Sequence, residues 1–119
     1  EVARELRPAM TSQQIACIHY DLFSQYNTEA FQRKLLAAWA GASTPLKQQK
    51  ARREVVFAAQ RPILAKYGFP ATLSGSLMMM NHHPDKFAGN KDIARRAWLL
   101  QYLTSPDDQT KHPLGSDKH

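Results

Sequence analysis

The densest charge in the chain is Lys47, Lys50, Arg52 and Arg53. On a helix, Lys50 and Arg53 stand three residues apart and project together. Two cations so placed suit an acidic protein surface, a phosphate or an anionic membrane. The plainer reading is a solvated helix start. No aromatic residue interleaves the run, and no zinc-finger, homeodomain or RNA-recognition signature occurs, so nucleic acid is not the expected partner.

Met78-Met79-Met80-Asn81-His82-His83 offers thioethers and imidazoles, the ligands of soft copper(I). Three adjacent methionines on a helix point in three directions, however. Only Met79 with His82 or His83 has a helix-compatible spacing, and gap-filling core methionine is the simpler expectation. Neither a metal nor another cofactor is therefore expected. Cys17 falls opposite the apolar stripe of its own helix, which implies an exposed thiol. A nucleophile needs a base and an orienting group, and the sequence assigns neither. His19 lies on the stripe itself, as a boundary side chain with a satisfied ring nitrogen.

Trp98 and Tyr102 form an i, i+4 aromatic pair facing away from Ile93, Ala97 and Leu100. A helix apolar on two sides is either central in a fold or shared with another chain. Tyr and Trp are also the residues enriched at interface hot spots. No phosphate-cradling glycine loop, Gly-x-Ser-x-Gly elbow or His-Glu-x-x-His pair occurs, which points away from an enzyme.

The elements that position these groups read as helices. The 119 residues hold 16 Ala, 12 Leu and 9 Gln but only 3 Val and 4 Ile. The first three types lose little freedom in a helix, and strands need the branched residues that are scarce. A single cysteine rules out an internal disulfide framework, so a hydrophobic core must hold the fold. A formal net charge of +6 favours an acidic partner. No apolar run reaches the 18 or more residues of a membrane span.

Thr11-Ser12-Gln13-Gln14 has the spacing of a capping box. Ile15, Ile18, His19, Leu22, Phe23 and Tyr26 then make one stripe. A second helix carries Phe31, Leu35, Ala38 and Trp39 and stops at Gly41, read as a left-handed terminator. Thr44 caps a third, with Pro45 in its first turn. It ends at Tyr67-Gly68 and carries Pro62 inside, which predicts a kink or break near Ala58. Its first two turns are polar on all sides, so they overhang the core or bridge to something else. A fourth helix between Pro70 and His83 is weakened by Gly75. A fifth, capped by Asn90, runs from Lys91 to about Leu103 and is halted by Pro106. The expected architecture is all-α: a single-domain bundle of four to five helices with a Pro-kinked third helix. It divides into an N-terminal arm (1–10), a helical domain (11–104) and a flexible tail (105–119) with too little apolar surface to repay ordering.

Ala58 to Phe69, with Gln60 and Tyr67-Gly68-Phe69 as identities, resembles the Gln-rich helix ending in Tyr-Gly-Phe of the protein C10 family. These are small, all-helical eukaryotic proteins. The likeness in spacing runs from the Thr11 box to Leu100, Leu103 and Pro106, although Pro62 and the Lys47–Arg53 run depart from that pattern. The resemblance implies a non-enzymatic helical adaptor.

The residues themselves suggest a non-catalytic interaction module, or small accessory subunit of a larger assembly, with another protein as partner. Lys47, Lys50, Arg52 and Arg53 are its polar contact candidates; Trp98 and Tyr102 are the apolar ones. A small-molecule or lipid carrier with an apolar pocket between helices is the alternative. A basic accessory protein contacting phosphate or nucleic acid is a third. A basic chain that starts at Glu1 suits an intracellular protein, in the cytoplasm or in an organelle after presequence removal.

Overall fold

A computed structural model describes residues 10–80 and 89–112, and these are all-helical. In chain order the helices are α1 (Ser12–Tyr26), α2 (Glu29–Ala40), α3 (Pro45–Lys66), α4 (Leu73–Met80), α5 (Lys91–Leu103) and α6 (Pro106–Lys111). Helix α1 packs against α3 and α5, α3 also against α2 and α4, and α6 closes on α5 and α2. The core draws Ile18, Leu22 and Tyr26 from α1, Leu35 from α2, Leu64 from α3 and Leu100 from α5. None of these is more than 3% exposed, so truncating any of the leucines to Ala costs about 2–5 kcal/mol.

Thr11, Thr44 and Asn90 cap where the sequence puts them, and Thr28 adds a further cap. Thr11 Oγ1 accepts from the Gln14 amide at 3.1 Å, and Gln14 Oε1 accepts from the Thr11 amide at 2.8 Å. Thr28, Thr44 and Asn90 accept from the amides three residues on. Each satisfies a donor that the first helical turn leaves without a partner. At the end of α3, Gly68 has φ 79°. The Phe69 amide donates to Leu64 and the Gly68 amide to Ala65. That pair of bonds is a Schellman closure, which needs a left-handed residue at the glycine position.

Several expectations give way. Gly41 ends α2 in a right-handed conformation, φ −80° and ψ −8°; the turn into Thr44 needs no positive φ there. Of the kink or break expected near Ala58, only the break is absent: α3 runs on through Pro62, which stands inside the helix as expected. Ala58, whose carbonyl loses its donor, is exposed, so that carbonyl is open to water. Gly75 does not weaken α4 but permits it. The residue is buried, and a Cβ there would overlap the Pro70 carbonyl, so only glycine allows α4 to fold back that closely.

Pro106–Lys111, expected to belong to the tail, forms a helix. Ser105 accepts from the Asp108 amide at 3.2 Å, and Pro106 occupies the first turn of α6. Pro106 therefore opens a helix as well as halting one. Its ring is fully buried, which supplies the apolar anchor that the polar composition of this stretch conceals. Of the arm, Met10 packs on the core; residues 1–9 and 113–119 lie outside the described residues.

Candidate functional site

The basic cluster does not act as a unit. Successive helical residues are rotated by about 100°, so Arg52 and Arg53 leave α3 in different directions. Lys47, Lys50 and Arg53 are exposed. Lys50 and Arg53 rim a notch of about 250 Å³, with Phe57 and Leu73 as its apolar wall and Glu54 as its acid. The Arg61 guanidinium sits 5.1 Å from the Phe57 ring centroid, a cation held over a π-face. Leu73 and Leu77 are 53% and 70% exposed. They stand i, i+4 on α4, a pair of apolar side chains on neighbouring turns. Neither Phe57 nor Leu73 stands out in the sequence as a site residue. The Leu73/Leu77 spacing was the available signal.

Arg52 turns inward. Its Nε donates to the Thr104 carbonyl at 2.6 Å and its Nη2 to Thr104 Oγ1 at 3.3 Å. Burial holds its pKa below the usual guanidinium value, opposed by the nearby Tyr26 phenol. Gln48 Nε2 likewise donates to the Trp39 carbonyl at 3.2 Å. The polar start of α3 thus bridges to the ends of α2 and α5 through long side chains, and Arg52 leaves the set of partner contacts.

Trp98 is 55% exposed, whereas Tyr102 is 6% exposed. Their rings stack at 5.4 Å and 21°. The Tyr102 hydroxyl donates to the His112 carbonyl at 2.8 Å, so Tyr102 belongs to the fold. Trp98 retains an open face.

A second notch, of about 220 Å³, lies between α1 and α5. His19, Tyr20, Phe23, Arg96, Leu99 and Leu100 line it. His19 is buried rather than at the boundary, and its Nδ1 accepts from Arg96 Nε at 3.3 Å. Sequence reasoning missed Arg96. Its signal was a charge set among Ile93, Ala97 and Leu100 on the inward stripe. Another groove, about 450 Å³ between α2 and α3, has Phe31, Val55 and Ala59 along it. Its Lys34 and Glu54 balance in charge.

Cys17 is exposed, and His19 is buried about 200° round the helix. Asp21 Oδ2, one turn beyond Cys17, accepts from Lys66 Nζ at 2.8 Å and from the Tyr67 hydroxyl at 2.6 Å. Those two bonds hold the Asp21 carboxyl below its ordinary range. Burial and the Asp21 charge push the Tyr67 phenol up. Met79 is buried in the core, while His82 and His83, its proposed metal-binding companions, lie outside the described residues. No helix among the described residues is long and apolar enough to cross a membrane.

Compared with known proteins, the chain matches no protein-family model, no curated protein and no solved structure.

Proposed function

We propose that this chain is a non-enzymatic helical interaction module, a small accessory subunit that receives an acidic, amphipathic segment of another protein at the Lys50–Arg53 notch. The observation that carries the reading is one juxtaposition: two exposed cations rim a pocket whose wall is Phe57 and Leu73. A partner helix with a bulky apolar residue flanked by Asp or Glu satisfies both parts. The apolar residue supplies buried area, and the carboxylates supply register and faster encounter. Leu77 extends the apolar contact along α4, and Lys47 extends the positive field along α3. Trp98, with its open ring face, is a second apolar anchor on another side of the bundle. The resemblance of Ala58 to Phe69 to the protein C10 family agrees with an adaptor.

The test is capture of a partner from the protein's native source by the immobilised chain, with the contact mapped by crosslinking. Reversing both charges, Lys50→Glu with Arg53→Glu, is expected to reduce capture of the crosslinked partner at least about tenfold, since close charge pairs couple by 1.5 kcal/mol or more. The helical circular dichroism is expected to stay unchanged. Equal capture by the reversed variant would refute this surface.

A further inference from the structure

We infer that the notch between α1 and α5 binds a small apolar monocarboxylate, with Arg96 as its anion-binding residue. Four features of this notch carry the inference, and none involves the α3 surface.

The first is a cation without a carboxylate partner among the described residues. The ion pairs among the described residues are Arg33–Glu29, Lys66–Asp21, Arg95–Asp92 and Lys111–Asp107. Arg96 has no carboxylate partner among the described residues, although it is half-buried. Its neighbour Arg95 takes Asp92, the acid one turn away. A guanidinium partly removed from water gains from an anion, and none of the described carboxylates supplies one.

The second is preorganisation. The Nε–H is engaged by His19 Nδ1 at 3.3 Å, and His19 is only 2% exposed, so one edge of the guanidinium is fixed to a rigid support. The two Nη groups remain as a planar pair of donors. That fork matches the two oxygens of a carboxylate. Because the ordering cost is already met by the His19 contact, more of the interaction appears as affinity.

The third is the wall. Apart from His19 and Arg96, the notch is lined by Tyr20, Phe23, Leu99 and Leu100. Phe23 and Leu99 are only partly buried, and Tyr20 is 70% exposed, so a ligand can cover apolar surface that the fold leaves open. One charged group at the edge of an apolar notch is the composition of a site for a ligand with one polar end.

The fourth is size. An apolar cavity of about 150 Å³ holds a benzene ring. A notch of about 220 Å³ takes an aromatic ring, or a short alkyl chain, together with the carboxylate. A dicarboxylate or a bare phosphate would place charge against Phe23 and Leu99.

The experiment is a heteronuclear NMR titration of the full chain with 3-phenylpropionate, and separately with octanoate. The controls are 3-phenylpropionamide and inorganic phosphate. The expected result is saturable shifts of the Leu99 and Leu100 methyls and of the Arg96 Nε–H. The amide, which loses the charged hydrogen bonds, is expected to bind about tenfold more weakly. Arg96→Gln is expected to lose the same factor toward the acid while binding the amide unchanged. Equal affinity for acid and amide would overturn the inference, as would phosphate displacing the acid at equal concentration. Shifts that bypass Arg96, Leu99 and Leu100 in the unmodified protein would overturn it without recourse to any variant.

Discussion

Arg52 Nε lies 2.6 Å from the carbonyl oxygen of Thr104, fifty-two positions away along the chain. The bond closes the C-terminal end of α5, where the last carbonyls have no intrahelical donors. It has companions. Gln32 Nε2 donates to the Leu103 carbonyl at 2.9 Å, and Gln109 Nε2 to those of Tyr102 and Leu103 at 3.0 and 3.2 Å. Thr104 Oγ1 donates back to the Leu100 and Gln101 carbonyls, both at 3.1 Å. Side chains from α2, α3 and α6 thus converge on one helix end.

Arg52→Ala is expected to destabilise the fold by about 2–3 kcal/mol, the range for hydrogen bonds made by a charged donor together with the carbonyl left behind. Arg52→Lys restores the charge but not the two-pronged geometry, so it should recover only part of the loss. Urea denaturation followed by circular dichroism measures both. A loss below about 0.5 kcal/mol, the level of an ordinary surface substitution, would show that the corner does not depend on Arg52.

Gly75→Ala sets propensity against packing. Alanine favours a helix interior over glycine by about 1 kcal/mol. Its Cβ would overlap the Pro70 carbonyl, and overpacking costs about 1–3 kcal/mol, occasionally more. Because the obstacle is backbone, which yields less than a side-chain tip, net destabilisation is expected. It would be read as a lower melting temperature than that of the parent protein. A rise would mean that the α3–α4 turn relaxes freely.

Gln60 joins three helices: its Nε2 donates to the Tyr26 hydroxyl at 2.9 Å, and its Oε1 accepts from Ser76 Oγ. Replacing it with Leu keeps a side chain of similar size and strands the two hydroxyls. The expected cost is about 1–3 kcal/mol for each group that stays dry. Adding Tyr26→Phe to Gln60→Leu should return part of it, because the pair is then apolar on both sides. Chemical denaturation of the single and double variants gives the coupling.

Alkaline titration should show delayed tyrosines. Burial pushes the Tyr26 phenol up to about 12 from 10.0, and Tyr67 is raised as well, by burial and by the Asp21 charge. A folded-state pKa above the unfolded value contributes stability that is complete below pH 10 and lost as pH rises through the folded value. Phenolate absorbance at pH 11 is therefore expected to be lower in the folded chain than in urea. Tyr26→Phe should remove one delayed group, and coincident folded and unfolded curves would contradict the burial of Tyr26.

Asp21 works in the opposite direction. Its bonds from Lys66 and Tyr67 lower its folded pKa below 3.8, so its contribution is present above that value and fades as pH falls through the folded pKa. The Lys66 side chain is 60% exposed, and solvent screening keeps the effect of Asp21→Asn under about 1 kcal/mol at pH 7. The difference in stability between Asp21→Asn and the parent should shrink toward pH 2. A constant difference would assign the effect to something other than ionisation.

Local chemistry was readable from the sequence; long-range chemistry was not. Thr11, Thr44, Asn90 and Gly68 act within four residues of themselves, so their spacing alone defines their roles. The helical class follows from the excess of Ala, Leu and Gln. Arg52, Gln32 and Gly75 were opaque because each takes its meaning from a group that only tertiary folding brings near. Arg52 was grouped with Lys50 and Arg53 by adjacency, yet one helical step separates an exposed side from an inward one. The same limit hid Pro106, whose burial turns a polar stretch into α6. In the candidate sites, Lys50 and Arg53 were recognisable as a pair. Leu73 and Arg96 were not connected to their surroundings, because Leu73 meets α3 and Arg96 meets α1 only across the bundle.

The stitched end of α5 bears on how the chain matures during synthesis. Gln32 and Arg52 emerge from the ribosome well before Leu103 and Thr104, whose carbonyls accept from them and lie 71 and 52 positions further on. Until α6 is released, those amide and guanidinium groups are solvated, and the surface of α2 that meets α6 stays wet. The core is consequently closed only once α6 and its buried Pro106 ring are in place.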